Sequence, residues 1–219
     1  MALADILARV WAAELAAGRS PHSVTLIAVS KVQPLERVVV ALDAGQRVFG
    51  ENYVQEAAGK WPDLRARYPG TQVHLIGPLQ TNKAKQAFDL FDAIQTVDRI
   101  SLAEKIARLV QAQGRCPELF VQVNTGAEPQ KAGILPDETE SFLKTLAAMD
   151  LHPKGLMCIP PEGEDSIPHF QQLAKMAQDN GLSQLSMGMS SDFEQAIACG
   201  ATHIRVGSAL FGARDYQRQ

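Results

Sequence analysis

The chain has 219 residues, of which 46% are hydrophobic and 21% charged, and its 24 acidic and 21 basic residues leave a net charge of −3. This length predicts a single domain over 1–219 with a full hydrophobic core. The slight acidic excess argues against a protein that grips nucleic acid through a basic face. No apolar run approaches the ~20 residues of a membrane span. Cysteines without a C-x-x-C pair favour a reducing, cytoplasmic compartment.

The first predicted element is an amphipathic helix over about residues 2–17, where apolar residues recur with helical spacing. From residue 24 onward, short apolar runs alternate with helical stretches. The predicted strands are Val24–Ser30, Arg47–Gly50, Gln72–Ile76, Ala93–Thr96, Leu119–Asn124, Lys154–Ile159, Gln184–Met187 and His203–Val206. The predicted helices between them span 34–45, 53–60, 80–90, 99–113, 136–149, 165–180 and 191–199, and a short last helix falls within 209–216.

Alternation of strand and helix predicts parallel strands joined by right-handed crossovers. Eight such units in 219 residues fit a compact (β/α)8 TIM barrel with an extra N-terminal helix. An open doubly wound sheet is the alternative, although no G-x-G-x-x-G follows the first strand. In a barrel, functional residues are expected where the strands end at their C-terminal face.

Lys31 ends the first predicted strand, after the nearly apolar run TLIAV. Partial desolvation at the rim of a barrel disfavours the ammonium form of a lysine. A neutral lysine can attack an aldehyde and form a Schiff base. The alternative is that Lys31 simply extends into solvent, as lysines at strand ends commonly do.

Two glycine- and serine-containing loops follow the seventh and eighth predicted strands. They contain Gly188, Ser190 and Ser191 in the first loop and Gly207 and Ser208 in the second. In barrels these two loops frequently bind phosphate, because backbone N–H groups and glycine let an anion approach closely. The alternative is that the serines only cap helices and Gly207 only makes a turn.

Arg205 lies inside the eighth predicted strand, flanked by apolar residues. It either forms an internal ion pair or faces a heteroaromatic nitrogen, which its guanidinium would keep unprotonated. A lysine that can form an imine, a phosphate site and an arginine for a ring nitrogen together match one ligand. That ligand is pyridoxal 5′-phosphate (PLP), which combines an aldehyde, a phosphate and a pyridine.

His74 and Met157 end the third and sixth predicted strands and either line the pocket or pack in the interior. The histidines lack the spacing of a metal site. Cys116, Cys158 and Cys199 are interpreted as small core residues.

The ordered motifs AVSKVQP, FGENYVQE, HLIGPLQTNK, KGLMCIP, GMSSDFEQAI and RVGSALFGARDY span about residues 24–216. In these motifs the chain resembles the YggS/PROSC family of PLP homeostasis proteins. The resemblance implies the barrel fold of alanine racemase, with PLP held on Lys31 as an internal aldimine. It also implies that Ser190, Gly207 and Ser208 bind the phosphate, that Arg205 faces the pyridine nitrogen and that Asn52 lies beside the cofactor. It leaves the role of Lys131 in PLP transfer open.

The resemblance implies a protein that buffers or delivers PLP, with PLP-dependent apo-enzymes as recipients, and that affects amino-acid and keto-acid balance. Racemases of this fold draw a second catalytic group from a β-rich domain, for which a chain of 219 residues has no room. We therefore expect no robust catalysis and a monomer. The alternatives are a small PLP-dependent amino-acid racemase and a Schiff-base aldolase that acts on a phosphorylated substrate.

Overall fold

A computed structural model describes residues 2–212 and closes the strands of this range into one parallel barrel, in the order β1 to β8. The ring closes where β1 pairs with β8, with Thr25 opposite His203 and Ala28 opposite Val206. The predicted TIM barrel is confirmed, and the alternative of an open sheet is wrong. The strands are β1 (Thr25–Val29), β2 (Val48–Glu51), β3 (Gln72–Leu75), β4 (Ala93–Val97), β5 (Glu118–Val123), β6 (Gly155–Cys158), β7 (Gln184–Met189) and β8 (His203–Val206).

Helices cover the outside of the barrel, and the predicted N-terminal helix is confirmed as α1, which contacts α8 and α9. No helix within residues 2–212 is long and apolar enough to cross a membrane. The predicted last helix is α9, while residues 213–219 lie outside the described residues. The helices are α1 (Leu3–Ala16), α2 (Leu35–Asp43), α3 (Val54–Arg67), α4 (Ala84–Leu90), α5 (Ile100–Gln113), α6 (Thr139–Ala148), α7 (Ser166–Asp179), α8 (Phe193–Ala198) and α9 (Ser208–Phe211).

Helix α3 continues to Arg67, although the sequence predicts a helix that ends at residue 60. Pro62 lies inside α3 and removes one backbone hydrogen bond of the helix. Trp61 and Leu64, on either side of it, are buried in the core. Burial of these large apolar side chains outweighs the local helix-breaking tendency of proline.

Strand β7 also extends further than predicted, so that Gly188 lies within the strand rather than in the loop after it. The pairing of β7 with β8 shifts register between Ser186 and Met189. Gly188 has φ of +92°, and a Cβ atom there would lie only 2.5 Å from the Cβ of Ala196 in α8. Glycine therefore allows both the irregular strand and the close approach of α8.

The main apolar core lies between the strands and the helices, whereas the inside of the barrel contains polar side chains. Ser186 of β7 is hydrogen-bonded to Gln95 of β4, and since these strands are not neighbours, this bond crosses the interior. Cys158 is buried and Cys199 half-buried, but Cys116 is exposed. The interpretation of Cys116 as a core residue is wrong, because it lies in the loop between α5 and β5.

Candidate functional site

A cavity of about 290 Å³ opens at the C-terminal face of the barrel, and many of its lining residues lie at or just after the ends of β1, β7 and β8. The structure brings to it all six residues that the sequence assigns to the cofactor: Lys31, Asn52, Ser190, Arg205, Gly207 and Ser208. The other lining residues are Val29, Ile76, Ile159, Met189 and Ser191; Ser191 lies in the predicted phosphate loop, and none of the five has a predicted cofactor contact of its own. Each of these lies at or just beyond a strand end, which is the only sequence signal that could have identified them.

Lys31 lies in the turn that follows β1 and is partly buried at the cavity wall. The next residue, Val32, has φ of +57°, in the left-handed region that β-branched residues rarely adopt. A backbone conformation of this kind costs on the order of 1–3 kcal/mol and persists only where surrounding contacts hold it. The cavity lysine is therefore carried by a strained turn.

A buried ionic cluster lies directly behind this turn. Oε1 of Glu51, at the end of β2, accepts hydrogen bonds from Ser30 Oγ at 2.7 Å, Lys60 Nζ at 2.9 Å and Trp61 Nε1 at 3.1 Å. Burial raises the pKa of Glu51, an effect that the nearby Lys60 ammonium partly offsets. In the GEN motif only Asn52 was predicted to have a role; the cluster around Glu51 could not be predicted from the sequence, because it forms only when α3 packs against β2.

Asn52 lines the cavity from the segment between β2 and α3. Its main chain packs against Gly77, where an added Cβ would lie 2.5 Å from the Asn52 carbonyl oxygen. The two rim segments can therefore meet only because residue 77 has no side chain.

The donors on the β7–β8 side of the cavity are weakly engaged by the protein itself. The backbone N–H groups of Gly207 and Ala209 both donate to Ser190 Oγ, at long distances of 3.4 and 3.5 Å. Good hydrogen bonds of this type measure about 2.7–3.2 Å. The two N–H groups and the hydroxyls of Ser190 and Ser208 thus retain capacity to bind an anion. Ala209, which follows Ser208 in the predicted phosphate loop, adds its backbone N–H to this set of donors.

Arg205 lines the floor of the cavity and is only 4% exposed. Its Nη1 donates to Ser186 Oγ at 2.8 Å and its Nη2 to the Cys158 carbonyl oxygen at 2.7 Å. No carboxylate within residues 2–212 pairs with it, so the structure does not show the internal ion pair that the sequence left open. The guanidinium is held by neutral acceptors, which leaves further N–H groups for a ligand.

A chain of hydrogen bonds continues from Arg205 into the barrel interior. Ser186 Oγ donates to Gln95 Oε1 at 2.6 Å, and Gln95 Nε2 lies 3.1 Å from Nδ1 of His74. Burial lowers the pKa of His74 to about 3, and burial together with the Arg205 charge lowers the pKa of His203 to about 4. Both imidazoles are neutral near pH 7 and act as fixed hydrogen-bonding and packing groups.

Three further residues from the sequence analysis lie away from the cavity lining. His74 and Met157 are buried deeper in the barrel. Lys131 forms an ion pair with Glu128 and donates to the Pro160 carbonyl oxygen at 3.3 Å. Met157 and His74 therefore belong to the packed interior of the barrel, and Lys131 connects its own loop to the segment after β6.

Cys158 lies beside Arg205 but is not suited to nucleophilic chemistry. Burial raises the pKa of its thiol to about 12, against the opposing effect of the Arg205 charge. The thiol is therefore protonated at neutral pH, and only the thiolate is a strong nucleophile.

The residues present fit a ligand that combines an aldehyde, an anionic group and a heteroaromatic nitrogen. A lysine amine, a cluster of under-used N–H and O–H donors and a fixed guanidinium meet in one cavity. Apolar side chains of Val29, Ile76 and Ile159 complete the wall, as expected for the ring of a small aromatic ligand.

The amino-acid sequence is similar to that of a known protein family and of several named relatives. Residues 12–215 match the family model described as alanine racemase, N-terminal domain. The pyridoxal phosphate homeostasis protein of Pseudomonas aeruginosa is 42% identical over 222 residues, covering 98% of this chain and 95% of the relative. The protein of that name from Escherichia coli K12 is 37% identical, covering 99% of this chain and 97% of the relative.

Two solved structures are similar in fold. PipY of Synechococcus elongatus PCC7942, determined with PLP bound, has a TM-score of 0.79 at 40% sequence identity, covering 94% of this chain and all (100%) of that chain. Alanine racemase of Clostridium difficile 630 has a TM-score of 0.72 at 11% identity, covering 99% of this chain and 59% of that chain. At this identity the racemase shows similarity of fold alone.

Proposed function

Because the chain belongs to the family of pyridoxal phosphate homeostasis proteins, we propose that it binds PLP in the cavity at the C-terminal face of its barrel and takes part in intracellular PLP homeostasis. The observation that carries this proposal is the convergence of Lys31, Arg205 and the donors around Ser190 on one cavity. Each of these groups matches one part of PLP. Through the supply of PLP, the protein affects amino-acid and keto-acid balance.

Lys31 is the residue to which PLP is attached in this proposal. PLP supplies an electrophilic aldehyde, whose carbon becomes joined to Lys31 Nζ while the aldehyde oxygen leaves as water. The turn after β1 places Lys31 at the wall of the cavity, which the apolar side chains of Val29 and Ile76 also line.

The remaining lining residues hold the ligand by its other polar groups. Ser190, Ser208 and the N–H groups of Gly207 and Ala209 bind the phosphate, and Arg205 donates to the ring nitrogen. A guanidinium in that place keeps the nitrogen unprotonated and weakens the electron sink that PLP offers to catalysis. Asn52 contacts the cofactor from the segment between β2 and α3.

The same lining supports a carrier rather than an efficient enzyme. Apart from Lys31 and Arg205, none of the described lining residues is ionisable near neutral pH. A racemase needs a second acid–base group on the opposite face of its substrate. We propose that the protein holds PLP without robust catalysis, delivers it to PLP-dependent apo-enzymes in the cytoplasm and acts as a monomer.

Absorption spectroscopy of the PLP-loaded protein tests the proposal directly. The wild-type protein is expected to show the band of a lysine Schiff base, and borohydride reduction should leave the mass of PLP on Lys31. Lys31→Ala should lose both signals. Lys144→Ala, which removes an exposed lysine of α6, should keep them.

Three outcomes would contradict parts of the proposal. A wild-type protein that does not bind PLP overturns it entirely. Turnover of alanine or serine enantiomers at ordinary enzymatic rates overturns the carrier role in favour of a racemase. Cleavage of a phosphorylated aldol without added PLP favours the aldolase.

A further inference from the structure

The backbone on both sides of Lys31 is held by two side chains of α3. Lys60 Nζ donates to the carbonyl oxygen of Ser30 at 3.0 Å, and the N–H of Val32 donates to Glu56 Oε1 at 2.7 Å. Lys60 Nζ and Glu56 Oε1 are themselves 3.0 Å apart, one helical turn from each other. We call Glu56 and Lys60 the α3 clamp.

Without such contacts the conformation of this turn would be unfavourable. Val32 is β-branched, has φ of +57° and is 42% exposed, so burial of its side chain does little to offset the backbone strain. Within the turn, the Gln33 N–H reaches the Ser30 carbonyl oxygen only at 3.3 Å. The strained residue is instead held by its short, charge-assisted hydrogen bond to Glu56.

The clamp is anchored to the barrel rather than to solvent. The Lys60 side chain is only 10% exposed, and its ammonium donates to Ser30 O, Glu51 Oε1 and Glu56 Oε1. These three acceptors use the full donor capacity of a lysine. Glu51 is in turn held by Ser30 Oγ and Trp61 Nε1. Lys60 is therefore a structural cation and not a second reactive amine.

We propose that the α3 clamp is a positioning device for Lys31, which holds the turn in its left-handed form and so directs the Lys31 amine into the cavity. This proposal rests on the proposed attachment of PLP to Lys31. The clamp lies on α3 and contacts the turn after β1, whereas Arg205 lies on β8 and the groups assigned to the phosphate lie just after β7 and β8. Loss of the clamp should therefore weaken the covalent link between Lys31 and PLP and leave the non-covalent contacts to the phosphate and the ring nitrogen unchanged.

A pair of ligands separates these two effects. Pyridoxine 5′-phosphate carries a hydroxymethyl group in place of the aldehyde and cannot be joined to a lysine. Glu56→Ala should weaken PLP binding and the intensity of the Schiff-base band by about tenfold, the scale of one charge-assisted hydrogen bond. Its affinity for pyridoxine 5′-phosphate should stay at the wild-type value.

Three further variants serve as controls. Asp63→Ala removes an exposed carboxylate from the same helix and should behave as wild type. Glu56→Gln keeps an acceptor for the Val32 N–H and should recover most of the PLP affinity. Val32→Gly adopts a positive φ without strain, so it should restore PLP binding in the Glu56→Ala background.

The outcomes distinguish the clamp from a general structural role. Equal PLP affinities for Glu56→Ala and Asp63→Ala overturn the proposal, as does a parallel loss of both ligands by Glu56→Ala. Should Glu56→Ala not fold, Val32→Gly alone decides, since PLP binding weaker than wild type contradicts the strain argument. A wild-type protein that does not link PLP to Lys31 refutes the proposed function itself, and that result appears before any variant is made.

Discussion

The mouth of the barrel and its interior differ in how completely their polar groups are hydrogen-bonded. At the mouth, the N–H groups of Gly207 and Ala209 reach Ser190 Oγ only at 3.4 and 3.5 Å. In the interior, Arg205 and Gln95 contact Ser186 Oγ at 2.8 and 2.6 Å. Buried polar groups normally have well-placed partners. The weakly bonded N–H groups at the mouth are therefore available to a ligand, whereas the fully bonded groups of the interior stabilise the barrel.

Arg205 belongs to both regions and connects them. Its side chain lines the cavity, but its direction is set by Ser186 and by the Cys158 carbonyl oxygen. The interior network thus determines where the guanidinium points before any ligand arrives.

The largest expected effect comes from acid, which acts on the interior histidines. Above about pH 6.5, the ordinary pKa of histidine, His74 and His203 are neutral in both folded and unfolded chains and their full contribution to stability is present. As the pH falls below 6.5, the unfolded chain takes up protons first, because the folded-state pKa values are about 3 and about 4. The free energy of unfolding should drop by up to about 1.4 kcal/mol per pH unit for each histidine.

Urea denaturation between about pH 7 and about pH 4.5 measures this slope. His74→Gln keeps an acceptor for Gln95 and should make the free energy of unfolding depend less steeply on pH. His152→Gln changes an exposed histidine and should leave this pH dependence as in the wild type. An identical slope for His74→Gln and the wild type would contradict the role given to burial.

Two serine variants compare the regions most directly. Ser186→Ala leaves Gln95 Oε1 and Arg205 Nη1 without their partner and should cost about 1–3 kcal/mol of folding stability. Ser190→Ala removes only long contacts and should change stability by less than about 0.5 kcal/mol while weakening PLP binding. Thermal unfolding and PLP titration of both variants check that Ser186→Ala mainly lowers stability and that Ser190→Ala mainly lowers PLP affinity. A larger stability loss for Ser190→Ala would show that the distinction between mouth and interior is wrong.

The smallest expected effect is at Ser208. Ser208→Ala should weaken PLP binding by about 1 kcal/mol, roughly fivefold, because one hydroxyl donor to the phosphate is lost while the backbone donors remain. Ser208→Thr keeps the hydroxyl and should bind as wild type. If titration gives equal affinities for all three proteins, the phosphate does not contact residue 208.

Most of the fold could be predicted from the sequence, because strands buried on both faces appear as short apolar runs between turns. The bounds of β8 are as predicted, and those of the other strands differ by one or two residues at an end. The differences have tertiary causes. Helix α3 passes Pro62 because Trp61 and Leu64 are buried, and β7 includes Gly188 because α8 packs closely against it.

Only those site residues that lie at or near the ends of strands could be predicted from the sequence. Lys31, Ser190 and Arg205 lie at or near the ends of their strands, and barrel geometry brings these ends together. The clamp could not be foreseen, since it depends on how α3 lies against the turn after β1. A positive φ at Val32 contradicts the local preference of valine, so no sequence rule would have placed it there.

Closure of the ring between β1 and β8 has a consequence for how the protein is made. Arg19, just before β1, donates to the Ala201 carbonyl oxygen, 182 positions later in the chain. During synthesis Lys31 leaves the ribosome long before Arg205 and Ser208, so the cavity cannot exist until β8 has docked. A ligand that binds this cavity selects finished molecules and lowers the free energy of the closed ring relative to the unfolded chain. PLP that binds this cavity is therefore expected to raise the yield of folded protein by stabilising the pairing of β1 with β8.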